Sequence, residues 1–284
     1  MPTSLMLLPL SALLSAAAPD SAPAGKPADR REVIRVANAE EFLRALGSDR
    51  ILKLAPAEYR LSEVEGMEAA AVRWDKEFDG RTLTVRGVRN LSIVCEADKP
   101  ARLIVKPRYV FVLNFEGCEG VELSNLYLGH EPDRGECSSG VVGATDCRDL
   151  TLRRCDLFGC GTEGLTLQRV KGMKFEESVI RDCSYGIVSA AGCEGLRFVK
   201  SRFADNVEFW GLRFEDCREV RFADCTVENN TAGDEPLFKV AGRTEVIFEG
   251  GAIRNNRAAA LADSADQLFL RQPSVRGNVF GPKP

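Results

Sequence analysis

Three consecutive stretches decide the fold: CRDLTLRRCDLFGCGTEGLTLQRV (147–170), KGMKFEESVIRDCSYGIVSAAGC (171–193) and EGLRFVKSRFADNVEFWGLRFEDC (194–217). They align on Leu150, Met173 and Leu196, and the alignment extends outward to Leu91 and Val121 upstream and to Val220, Val246 and Leu268 downstream. From Val121 the steps are 29, 23, 23, 24, 26 and 22 residues. Two positions past each anchor stand Ile93, Leu123, Leu152, Phe175, Phe198, Phe222, Phe248 and Leu270, an apolar column without exception. Seven past, from Val121 on, stand Leu128, Leu157, Ile180, Phe203, Val227, Ile253 and Val275. Within each unit the apolar residues alternate with period two, as in Leu150/Leu152 and Leu165/Leu167, which is the signature of strands. A unit of 22 to 24 residues cannot bury its inward face alone and does so by stacking on its neighbours. The expected fold is therefore all-β: a single-stranded right-handed parallel β-helix of about eight coils. Leucine-rich repeats share the period but need a stricter Leu and Asn framework with a helical or similar convex segment, which is missing here.

Stacking places equivalent side chains above one another. Ten past the anchors come Cys160, Cys183, Asn206, Asn230, Asn256 and Asn278, so the asparagines are expected to form a ladder of side-chain amides at a bend. Eight of the ten cysteines also fall in repeated columns: Cys118, Cys147, Cys193 and Cys217; Cys155 and Cys225; Cys160 and Cys183. They read as small buried fillers, although vertical neighbours such as Cys118/Cys147 would be close enough to bridge. With no CxxC pair and one histidine, His130, no metal site is expected.

At the other end of the chain, residues 1–18 are uncharged and apolar through Leu14, ending in Ser15-Ala16-Ala17-Ala18. This reads as a signal peptide, too short for a membrane span, and the Ala- and Pro-rich 19–31 as a linker. The protein is thus expected to be secreted or periplasmic, with no membrane span. The β-helix domain is expected over 32–284, with an N-terminal cap at 32–60. Within that cap, Asn38 followed by Glu41 and the apolar Phe42, Leu43, Ala45 and Leu46 predicts a short capped helix, placed to cover the open first coil. The net charge of −4 argues against nucleic acid or an anionic membrane as the main partner; a polysaccharide or cell-surface polymer fits better, bound by a monomer.

Candidate site residues come from two places. The long step after Val121 contains Gly129 to Cys137, an insertion expected to emerge as a loop; His130 with Glu131, Asp133 and Glu136 would offer acid/base groups there, or else form a solvated turn with the histidine packed at its base. The first strand of each coil is expected at Val110 to Phe115, Val141 to Thr145, Gly164 to Gln168, Gly186 to Ala190, Trp210 to Phe214 and Leu237 to Val240. With Leu113, Val142, Leu165, Leu212 and Phe238 inward, Asn114, Thr166, Gln168, Arg213, Glu215 and Lys239 face out. Beside them stand Glu163, Tyr185 and Trp210, suited to stacking on sugars and bonding their hydroxyls, or to covering a turn.

On the anchors, the capped helix and the asparagine column, the chain from about Val33 onward resembles the pectin-lyase-like superfamily of parallel β-helices. It is also similar to a group of exported bacterial β-helix proteins in its Leu128 to His130 and Cys155 to Gly161 motifs. The resemblance implies the fold, and it raises pectate lyases, with calcium-binding aspartates and an arginine base, and polygalacturonases, with Gly-His-Gly and Arg-Ile-Lys motifs. This chain departs from both: Gly129-His130 is followed by Glu131, Arg-Ile-Lys is absent, and no outward column presents successive aspartates. Neither calcium nor another cofactor is expected. Polymer binding without catalysis is the leading expectation. A polysaccharide lyase or glycoside hydrolase on an acidic glycan, using His130, Glu131, Glu163 and Arg213, and a purely structural spacer are the alternatives.

Overall fold

A computed structural model describes residues 30–131, 139–159, 163–207 and 209–281, and residues 31–284 make one compact unit. The expected signal peptide, nearly all of the expected linker, and Asp133, Glu136, Cys137 and Cys160 lie outside the described residues.

Three long sheets carry the chain around each coil. All eight anchors lie in a ten-stranded sheet that runs from Arg89–Val94 to Leu268–Arg271 and is extended upstream by Arg50–Leu54 and Glu32–Val36. The column seven residues on lies in a nine-stranded sheet from Glu58–Arg60 to Ser274–Arg276, and the expected first strands lie in an eight-stranded sheet ending at Phe238–Ala241. Pairing follows the aligned columns: Leu150 stands opposite Val121 and Met173, and Leu157 opposite Leu128 and Ile180. The eight-stranded sheet begins with a departure from the solenoid pattern, since Val72–Lys76 pairs antiparallel with Arg81–Arg86. Every anchor from Leu91 to Val246 is at most 2% exposed. Along the inward column Phe198 and Phe222 stack at 4.4 Å and Phe222 and Phe248 at 5.5 Å, a close-packed aromatic spine.

The corners explain why the cysteine and asparagine columns exist. Each sharp bend uses one residue with left-handed backbone, such as Asp146, Arg154, Asp182 or Asp205 (φ 50 to 58), and the next residue points inward. Its buried backbone N–H needs an acceptor, and the side chain at the same corner one rung on supplies it. Cys155 N–H donates to Ser178 Oγ at 2.9 Å, Cys217 N–H to Thr244 Oγ1 at 2.9 Å, and Cys118 N–H to Cys147 Sγ at 3.4 Å. At the third corner Cys183 N–H donates to Asn206 Oδ1 at 2.9 Å, and the ladder continues through Asn230, Asn256 and Asn278. The eight described cysteines are buried, and burial pushes the Cys155 thiol up to about 12 and that of Cys225 to about 11. Cys155 and Cys225 are structural thiols, protonated at neutral pH.

At the N-terminal end the helix spans Ala39–Ala45. Asn38 Oδ1 accepts from Glu41 N–H at 2.9 Å, and Glu41 accepts from Ala37 N–H at 2.8 Å. The helix joins two neighbouring strands of the ten-stranded sheet and buries Phe42 and Leu43 completely.

Candidate polymer-binding face

Outward residues of the eight-stranded sheet form a register column Thr84, Asn114, Gly143, Thr166, Ser189, Arg213, Lys239. Asn114, Thr166, Arg213 and Lys239 are half-buried and Gln168, in the next outward column, is exposed. The column is tied locally: Asn114 Nδ2 donates to Thr84 Oγ1 at 3.0 Å, Arg213 pairs with Glu215 at 3.3 Å, and Lys239 with Glu235 at 2.8 Å.

Glu163 opens one of these strands, in register between Gly140 and Gly186. Both glycines matter because of what lies over them. A Cβ on Gly140 would stand 2.6 Å from the Phe111 ring, and one on Gly186 would meet the Trp210 ring. Two aromatic rings, each from two rungs away, therefore fold over the flanking glycines on either side of Glu163, which is 7% exposed. Its carboxylate accepts from Thr166 Oγ1 at 2.6 Å. Burial raises the pKa of Glu163 above the usual carboxylate range, against the opposing pull of Thr166, Trp210 and Arg213. The Trp210 indole nitrogen is near enough to exert that pull, yet it is buried with no hydrogen bond of ordinary geometry.

Trp210 also meets Tyr185 edge-on at 4.6 Å, Tyr185 lies 5.3 Å from Phe209, and the Arg213 guanidinium sits 5.9 Å from the Trp210 ring. The result is an aromatic cluster, with Phe209 40% exposed, beside a polar column. Phe111, Phe209, Gly140 and Gly186 escaped the sequence reading. The recurrence of glycine at the start of these strands was the available signal, but it does not reveal which ring covers it.

The other nominated residues lie elsewhere. His130 ends a strand of the nine-stranded sheet opposite Val105, is 3% exposed, and has Nε2 at 2.9 Å from the Val110 carbonyl. Burial lowers its pKa, so it is neutral at neutral pH. Glu131 is exposed and pairs with Arg60 at 2.8 Å, which holds its carboxyl below the usual range. Glu131 and Glu163 thus sit in different surroundings and share no hydrogen-bond partner. Among the described residues no three His, Cys, Asp or Glu side chains converge as a metal site, and no helix is long and apolar enough to cross a membrane.

With three parallel sheets wound in stacked coils and an asparagine ladder at one corner, the molecule is a parallel β-helix. The family described as "Right handed beta helix region" matches residues 114–280, and the chain belongs to it, consistent with a pectin-lyase-like architecture. No curated protein matches the sequence. Among solved structures the chain is similar to an alginate lyase from Paenibacillus sp. str. FPU-7, with 11% identity over 87% of this chain and 94% of that one and a TM-score of 0.49. It is also similar to the pectate lyase Pel9A, with 10% identity, 87% and 79% coverage and a TM-score of 0.43. A third is PfbA, a surface adhesin of Streptococcus pneumoniae, with 9% identity, 87% and 80% coverage and a TM-score of 0.41.

Proposed function

We propose that this chain is an exported β-helix that binds a polysaccharide or another extended surface polymer along the outward face of the eight-stranded sheet, as a monomer and without turning it over. The observation that carries this reading is the Tyr185, Phe209 and Trp210 cluster beside the in-register column Asn114, Thr166, Arg213 and Lys239, with Gln168 alongside. Aromatic faces next to amide, hydroxyl and charged groups suit a sugar chain, which presents apolar ring faces and hydroxyl rims. Binding is favoured over hydrolysis because Glu163 is surrounded by a hydroxyl, an indole and a guanidinium, whereas inverting chemistry needs a second carboxylate across a cleft.

Affinity electrophoresis against neutral and acidic polysaccharides, with and without calcium, tests it. Retardation by at least one glycan that is lost in Trp210→Ala is the expected result. Retardation unchanged in that variant, or no retardation at all, would remove the proposal. Release of product that disappears in Glu163→Gln would replace binding by catalysis at the same face.

A further inference from the structure

The corner between the eight-stranded and ten-stranded sheets stacks Cys118, Cys147, Val170, Cys193, Cys217 and Thr244 in one column. The pairings on either side fix its register: Glu116 stands opposite Thr145 and Glu119 opposite Arg148, while Ala191 stands opposite Glu215 and Glu194 opposite Arg218. Cys118 therefore meets Cys147 on the next rung, and Cys193 meets Cys217. All four are at most 2% exposed. Within each pair the sulfurs are in contact, which lowers the thiol of Cys118 beside Cys147 and that of Cys217 beside Cys193.

Val170 separates the two pairs, standing opposite Cys147 on one side and Cys193 on the other. Cys147 and Cys193 are thus two rungs apart, about 9.6 Å, beyond the Cα separation of about 4.4–6.8 Å that a disulfide spans. Cysteines on adjacent rungs, about 4.8 Å apart, lie within it. Two other buried cysteines differ in what they face: Cys155 lies between Leu126 and Ser178, and Cys225 between Ser201 and Gly251. Neither has a cysteine on the rung above or below.

We propose that Cys118/Cys147 and Cys193/Cys217 are two disulfide sites, each clasping a pair of successive coils, which close when the chain folds in the presence of a disulfide oxidant. One cysteine thiolate attacks the S–S bond of the oxidant, forming a mixed disulfide and expelling one thiolate; the second cysteine, once it has lost its proton, displaces the other half. Each pair gives up two electrons and two protons, and the oxidant is reduced to two thiols. Burial confines the reaction to folding, before the corner closes, and shields the finished bridge from reductants. The assignment stands on the corner geometry and is independent of the polymer face.

The test is to refold the full chain, denatured and reduced, in a mixture of reduced and oxidised glutathione, then alkylate the remaining thiols in denaturant and map the peptides without reduction. Bridges Cys118–Cys147 and Cys193–Cys217 are expected, with Cys155 and Cys225 recovered alkylated. Cys147→Ser and Cys193→Ser each keep an acceptor for the buried N–H that the cysteine receives, as Ser178 is for Cys155, and a cooperative melting transition checks that they fold. Each variant should lose its own bridge, yield its orphaned partner, Cys118 or Cys217, as an alkylated thiol, and leave the other pair linked. Recovery of all four cysteines as thiols, a Cys147–Cys193 bridge, or bridging of Cys155 or Cys225 would each overturn the proposal.

Discussion

The carboxyl of Glu163 loses its water when Phe111 and Trp210 fold over Gly140 and Gly186, and the cost falls on its charged form. The folded protein therefore holds the Glu163 proton more tightly than the unfolded chain does. Stability from this group is greatest below the ordinary carboxylate range and falls as pH rises from that range through the raised native value. Denaturation midpoints across about pH 4 to 8 should decline more steeply for the wild type than for Glu163→Gln, which retains an acceptor for Thr166. Parallel declines would show that burial is not shifting this group. His130 illustrates the opposite lesson at the same scale. The sequence allowed either a reactive loop or a turn with the histidine packed at its base, and a carbonyl 20 residues away, that of Val110, holds it in the interior as in the second reading.

Within the corner columns, side chains act as connectors between rungs. Asn230 accepts from Asn206 Nδ2 at 2.9 Å and donates to the Phe203 carbonyl at 2.9 Å and to Asn256 Oδ1 at 3.0 Å. Asn230→Ala leaves buried partners unmet, and a loss of about 1–3 kcal/mol is expected. Lys239→Ala, on the outward face of the eight-stranded sheet, should cost about 0.5 kcal/mol or less. Urea denaturation of the two variants compares them; equal losses would contradict the assigned register. The asparagine column was legible in sequence because identical residues recur at nearly constant spacing. The acceptor role of the serine, threonine and cysteine corners was less so, because chemically different side chains take the same part on different rungs, as Cys147, Cys193 and Thr244 do.

Stacked coils share stability with nearest neighbours only, so protection should follow position along the solenoid. In the last described coil Leu270, Val275 and Phe280 are 38%, 45% and 40% exposed, while their counterparts one rung back, Phe248, Ile253 and Ala258, are at most 1% exposed. Hydrogen exchange should be markedly faster for amides of 268–280 than for those of 171–181, and uniform protection along the chain would contradict nearest-neighbour coupling. At the other end, Glu32–Val36 and Arg50–Leu54 extend the ten-stranded sheet although neither belongs to the repeat alignment.

The repeat by itself determined the coils, their register, the inward aromatic spine and the asparagine ladder, because a stacked parallel strand places every equivalent residue in one column and reads its spacing directly. Only the tertiary structure decided the antiparallel strand Val72–Lys76, the burial of Glu163 and the choice between the two readings of His130. Those features depend on which side chain from a neighbouring rung, some 20 to 30 residues away, fills or leaves a given space, and no periodicity records that choice.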